Sequence, residues 1–199
     1  MQQRQKSLLR VIIEPLAIAI ALALIVRTAF FRIYVIPSPS MVPTLEVGDH
    51  IVVTPLRDAA LQRGDVIVFR APNGADELMV KRIIATPGDL IESRAGRVLV
   101  GGHALAEPYL REPAASGALQ SLIVPANAYF VMGDNRANSY DSRNWGVLPR
   151  DLVVGRVQMV LWSSGYSPSE PAAHASTRGA SLLPARVTTH IRRLFRPVR

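Results

Sequence analysis

Hydrophobic and polar positions divide the chain into three regimes. Residues 11–31 read VIIEPLAIAIALALIVRTAFF, an apolar run broken only by Glu14 and Arg27. As a helix it would extend about 30 Å, the thickness of a bilayer's hydrocarbon core. Its uncharged centre, residues 15–26, also has the length of the apolar region of a cleaved targeting sequence. After that centre come Arg27, Thr28 and two phenylalanines rather than a polar stretch ending in small residues, so an uncleaved anchor is expected. Arg4, Lys6 and Arg10 precede the run, against Arg27 and Arg32 at its far end. That bias places residues 1–10 in the cytoplasm and the chain beyond residue 32 across the membrane.

From residue 50 the pattern becomes short runs rich in Val and Ile: HIVVT (50–54), DVIVFR (65–70), ELMVKRIIA (77–85), RVLV (97–100), AYFVM (128–132) and LVVGRVQMVLW (152–162). Arg63-Gly64, Pro72-Asn73-Gly74, Pro87-Gly88-Asp89 and Ala95-Gly96 separate them with turn chemistry. No helical period of ten or more residues and no internal repeat stands out. Residues 32–166 are therefore expected to form one mainly β, largely antiparallel domain with a looser insertion at 101–127. Beyond Trp162 the composition turns to Ser, Pro, Ala and Gly, and residues 167–199 read as a flexible basic tail. Within it Val187, Ile191 and Leu194 lie at helical spacing among arginines, but threonines and bounding prolines favour disorder with weak attraction to anionic lipid.

Charge changes the picture by its distribution. The formal net charge is +8, yet residues 1–32 carry +4, residues 167–199 carry +5 and the middle carries −1. A near-neutral domain with basic flanks fits a lipid bilayer and not a nucleic-acid groove. Cysteine is absent and the four histidines are scattered without ligand spacing, so no metal and no cofactor is expected.

Candidate chemistry comes from three strings. In ELMVKRIIA, alternation puts Met79, Lys81, Ile83 and Ala85 on one strand face and Leu78, Val80, Arg82 and Ile84 on the other. Lys81 is the one charge in its row. Burial disfavours an ammonium and can lower its pKa by up to about 3–5 units, making a neutral base near physiological pH. On an edge strand the same lysine would simply reach water. IPSPSMVPTL, residues 36–45, holds Ser38, Ser40 and Thr44 between stiffening prolines, as either a linker or a preorganised nucleophile loop. A serine there beside a neutral lysine would make a two-residue nucleophile and base. GDNRANSYDSRNWG, residues 133–146, crowds two acids, two arginines and several hydroxyls and amides behind the apolar AYFVM, as a solvated turn or as the hydrogen-bonding support of a site.

Together these strings resemble the bacterial type I signal peptidases: IPSPSMVPTL the family's nucleophile box, VKRIIATPGD its lysine box, GDNRANSYDSR its last signature, in order and behind an N-terminal anchor. Weaker similarity in GDVIVF, GGHALAEPYL, VPANAYFVMGDNR and GVLPRDLVVGRV extends it from about Ile33 to Trp162. The resemblance implies a mainly antiparallel β fold and removal of signal peptides from exported preproteins, with small residues at −1 and −3. It implies Ser40 as nucleophile and Lys81 as general base, with the Ser40 N–H and Ser38 hydroxyl as oxyanion donors and Ser139 orienting Lys81. Arg82 would pair with Asp134, Asp141 and Arg143 would brace the signature loop, and Ile36, Met41 and Val80 would line the substrate subsites. It places the enzyme in the bacterial inner membrane with its catalytic domain on the extracytoplasmic face. Two positions depart from the family pattern: Pro39 stands where many relatives have glycine, removing a backbone donor, and Ala137 replaces a common acid. The chain also lacks the second span and large insertion of some relatives. A Ser-Lys processing peptidase of narrow specificity and a non-catalytic peptide-binding domain are the alternatives.

Overall fold

The computed structural model describes residues 12–22, 30–56, 60–111, 119–164 and 195–198. The chain divides into two compact units, residues 1–32 and 33–199. In the first, residues 12–22 form helix α1 with exposed side chains. Of the expected 11–31 anchor, residues 11 and 23–29 lie outside the described residues, and among those described no helix is long and apolar enough to cross a membrane.

The second unit is built from the Val- and Ile-rich runs. β1 (Arg32–Val35), β2 (Asp49–Pro55), β3 (Val66–Arg70), β4 (Leu78–Ala85), β9 (Ala128–Met132), β10 (Leu148–Pro149) and β11 (Val153–Ser163) join one sheet in the order β1-β2-β11-β3-β4-β9-β10. β5 (Leu90–Arg94), β6 (Arg97–Val100), β7 (His103–Ala104) and β8 (Leu122–Ile123) form a second sheet, ordered β7-β6-β5-β8. The registered pairs in both sheets are antiparallel, as expected from the sequence. β5 and β6 meet through Ala95-Gly96 with φ of 50° and 75°, the left-handed pair that a two-residue hairpin requires. The 101–127 insertion thus carries two short strands, and its residues 112–118 lie outside the described residues.

Side chains bury in three apolar clusters. One, with Ile36, Met41, Leu45, Ile51, Val66 and Val160, lies under the segment that continues from β1. A second, with Ile84, Ile91, Val98, Phe130 and Met132, joins the two sheets. The third gathers Ile67, Phe69, Ile83, Tyr129 and Leu148. β4 contributes to all three, because it lies between β3 and β9 and is covered on both faces from Lys81 onward. A strand buried on both sides has no solvent face for its polar residues, so Lys81 and Arg82 are held inside at 3% and 0% exposure.

The end of the chain departs from the sequence expectation. Residues 165–194 of the expected tail lie outside the described residues, but β12 (Arg196–Pro197) pairs antiparallel with β11 at Met159 and Val160. β11 outlasts β3, and the edge it leaves open takes this strand, with half-buried Val198 packed on the cluster beneath Met41.

Candidate active site

The segment leaving β1 cannot continue as a strand through Pro37, Pro39 and Pro43. It closes instead into a 3-10 turn at Pro39–Met41, anchored by buried Met41 and Leu45. Pro39 occupies the first position of that turn, where a backbone N–H has no partner within the turn and proline is well suited. The donor lost at Pro39 is therefore one the turn does not need, and its closing bond comes from Val42 N–H to Pro39 O.

The turn lifts Ser40 against β4, where Lys81 Nζ lies 2.8 Å from Ser40 Oγ. Desolvation is the main influence on Lys81 and brings its pKa down to about 8, while the carboxylates of Asp141, Glu77 and Asp134 pull the other way. Ser38 Oγ stands 3.3 Å from Ser40 Oγ, on the residue that precedes the turn. Thr44, the third hydroxyl of the proline-rich string, is committed elsewhere: it donates to Asp134 and accepts from Arg82.

Behind the turn lies the loop after β9. Asn135 N–H donates to Ser40 O at 3.0 Å and its side-chain amide to Pro39 O at 3.2 Å, so one residue holds two carbonyls of the serine turn. Asp134 receives a two-pronged bond from Arg82, at 2.9 Å from Nε and 2.7 Å from Nη2. Both partners are buried, and Arg82 Nη1 is satisfied by Gly64 O. Asp141 caps α2 (Ser142–Trp145) through a reciprocal box with Asn144. It also accepts from Gly133 N–H and from Arg143 Nε and Nη2. Burial works against its charged form, but the Arg143 and Gly133 hydrogen bonds prevail and hold its pKa below the usual carboxylate value.

The remaining expected residues fall around this centre. Ser139 Oγ is buried over Gly133, where an added Cβ would lie 2.2 Å from it, and it faces the Asp141 carboxylate, whose charged form it favours without a well-aligned hydrogen bond. Lys81 is thus held by Ser40 and receives no bond from that hydroxyl. Ile36, Met41 and Val80 line, with Ser38, Ser40 and Lys81, a cleft of about 80 Å³ that opens beside the serine. Ala137 is exposed. Sequence reading passed over Asn135 as a clamp, and it passed over Glu107 and Tyr109. Glu107 binds Arg136 in an ion pair, and Tyr109 lies under the Arg82 guanidinium at 4.0 Å. The signals available were the proline between them and the similarity of GGHALAEPYL, residues 101–110, to the family, neither of which singled out these two side chains.

Comparison with known proteins places the chain in a family. Residues 9–162 match the family described as signal peptidase, peptidase S26. The chain is 37% identical over 159 residues to signal peptidase I of Leptolyngbya laminosa, covering 75% of this chain and 78% of that protein. It is 36% identical over 162 residues to signal peptidase I S of Bacillus subtilis, covering 75% and 86%. A crystal structure of a signal peptidase I from Enterococcus faecalis, 31% identical, aligns over 49% of this chain and 97% of that one with a TM-score of 0.43. The chain belongs to the signal peptidase family, peptidase S26, and is by that membership a serine endopeptidase.

Proposed function

We propose that this chain removes signal peptides from exported preproteins through a Ser40–Lys81 dyad, cutting after small residues at −1 and −3. The observation that carries the reading is the 2.8 Å approach of a buried lysine to a buried serine. A lysine with a pKa near 8 is in part neutral at physiological pH, and its lone pair can then accept the Ser40 proton. The freed Oγ attacks the scissile carbonyl. Ser40 N–H, not consumed by the bond that closes the turn, and the Ser38 hydroxyl stabilise the oxyanion; one such donor is commonly worth about 100- to 1000-fold in rate. Protonated Lys81 returns its proton to the leaving amine, then draws one from the water that hydrolyses the acyl-enzyme.

The small cleft bounded by Ile36, Met41 and Val80 supports short side chains at −1 and −3, since larger ones would meet buried side chains. Arg82, Asp134, Asp141 and Arg143 brace the loop beneath, and the role of Ser139 in orienting Lys81 rests on its match to the family's last signature rather than on a bond between them. Residues 11–31 act as a single anchor with residues 1–10 in the cytoplasm, and residues 32–166 work on the extracytoplasmic face of the bacterial inner membrane. The apolar run, the basic N-terminus and the exposed Ile33 and Val35 of β1 support contact with a lipid bilayer.

The test is to incubate detergent-solubilised wild type and Ser40→Ala with a preprotein carrying an Ala-x-Ala site and to map new N-termini by mass spectrometry. A cut after that site by wild type alone is expected. No cut by folded wild type with lipid supplied would point to a narrower peptidase or a binding domain, and equal cutting by both would remove Ser40 from the role.

A further inference from the structure

Beyond the dyad, a polar cluster ties the turn that follows β7 to β4 and to the loop after β9. Glu107, Pro108, Tyr109 and Leu110 form a turn closed by Leu110 N–H to Glu107 O at 3.1 Å, with proline at its second position as such turns favour. The turn presents Glu107 and Tyr109 to the same side. Tyr109 donates its hydroxyl to the Glu107 carboxylate at 2.9 Å. Glu107 also accepts from both terminal nitrogens of Arg136, whose side chain is wholly buried and whose Nε donates to Gly133 O at 3.1 Å. The Tyr109 ring carries the Arg82 guanidinium on its face, and Arg82 holds Asp134. One carboxylate therefore governs both arginines: Arg136 directly, Arg82 through the phenol.

Those arginines fix one short loop, residues 133–136: Arg82 holds Asp134, and Arg136, its last residue, donates to Gly133 O and to Glu107. Its middle, Asn135, holds the Ser40 and Pro39 carbonyls, and its Asp134 receives the Thr44 hydroxyl. The serine turn is thus gripped before and after Ser40 by a loop whose own position is set from the turn that follows β7. A buried ion pair rarely stabilises a fold more than apolar side chains of equal volume, so stability alone is a weak reason for this one. Planar guanidinium groups bound on several sides do fix direction. Burial and then the Glu107 charge raise the pKa of Tyr109, which keeps its donating proton.

We propose that Glu107 and Tyr109 are positioning residues for the nucleophile: through Arg136 and Arg82 they fix the loop that sets the direction of Ser40 Oγ and N–H. Neither touches the dyad. The proposal rests on Ser40 acting as the nucleophile. A misplacement of about 1 Å at a reacting atom can cost on the order of 100-fold in rate, so loosening the clamp should lower turnover while leaving the cleft able to bind.

The experiment compares full-length wild type, Glu107→Gln, Tyr109→Leu and Tyr109→Phe in detergent. Glu107→Gln keeps shape and removes charge, Tyr109→Leu removes the ring, and Tyr109→Phe keeps the ring on Arg82 while losing the hydroxyl. Three quantities are read: kcat and KM on an Ala-x-Ala peptide normalised to folded protein, thermal midpoint, and amide hydrogen exchange of peptides covering residues 36–45 and 133–141. The expected result is kcat lowered about 10- to 100-fold by Glu107→Gln and Tyr109→Leu with little change in KM, partial recovery in Tyr109→Phe, and faster exchange in both peptides. Unchanged kcat per folded molecule, even with a lowered midpoint, would make the cluster a mere brace and overturn the proposal. Unchanged exchange in both peptides would overturn it too, whether or not any peptide is cut. A wild type that cuts nothing would instead remove the peptidase reading, and exchange would still decide whether the clamp exists.

Discussion

In the proposed dyad, Lys81 would turn an unfavourable placement into chemistry. Its ammonium would be at ease in water, yet a strand covered on both faces leaves it 3% exposed, and desolvation lowers its pKa to about 8. The proton-accepting form is the neutral one, so activity should rise with pH. Well below pH 8 the rate should fall about tenfold per pH unit, and it should level above pH 8. Peptide cleavage measured from pH 6 to 10 checks this; a profile flat through pH 8 would sink Lys81 as the base. Lys81→Arg should abolish cleavage across the range, because a guanidinium stays protonated. Residue types alone made Lys81 a candidate, since it broke an apolar row. Whether it would reach water or be buried was a matter of its neighbours in the sheet, which the row itself does not specify.

At the scale of elements, the site is a contact between a 3-10 turn, a central strand and a loop. Gly133 is the point of closest approach: a Cβ there would come within 2.6 Å of Ser40 O and 2.2 Å of Ser139 Oγ. The first of these is backbone and cannot swing aside. Gly133→Ala should therefore push the serine turn off its loop, costing about 1–3 kcal/mol of stability and most of the activity. Gly155→Ala is a fitting control, since its Cβ would strike Thr54 O within the β2–β11 pair, away from the dyad. It should lower the thermal midpoint without a comparable loss of turnover per folded molecule. Comparable losses of turnover in both would argue against a special role for Gly133.

Much of this level was legible beforehand. β2, β3, β4, β6, β9 and β11 coincide with Val- and Ile-rich runs, because β-branched residues suit a pleated, buried surface. β5, LIESR, escaped because it holds only two large apolar residues and its pairing with β6 and β8 supplies the rest. β1 escaped because it comes directly after the longest apolar run, which masks any alternation of its own. The Glu107–Tyr109 turn could not be weighed by its residue types: its worth lies in two arginines far away in the chain, Arg82 before it and Arg136, 29 residues after Glu107.

At the scale of the whole molecule, the end of the chain returns to the larger sheet. Val198 N–H donates to Gln158 O at 3.1 Å, and its side chain joins the cluster that contains Met41 and Leu45. One such backbone bond and one half-buried valine are worth about 1–2 kcal/mol together. Ending the chain after Ser164 should accordingly lower the thermal midpoint by about 2–8 °C, with cleavage at 25 °C largely kept. An unchanged midpoint by calorimetry would mean that β12 contributes nothing to the folded domain. Composition read this tail as unstructured because Arg, Pro and Val in a four-residue stretch carry no period, and the open edge of β11 that receives them is created by where β3 stops.

The sequence by itself determined what depends on near neighbours along the chain: the apolar run, the strand runs and their turns, the stiffness around Ser40, and the three strings whose order resembles the signal peptidases. The tertiary structure decided what depends on groups far apart in sequence. It put β4 in the middle of the sheet and so buried Lys81, brought Ser40 to it from 41 residues away, and set Asn135 on the back of the serine turn. The physical reason is that turn preference and hydrophobic period act over a few residues, whereas desolvation and hydrogen-bond direction depend on everything that packs around an atom.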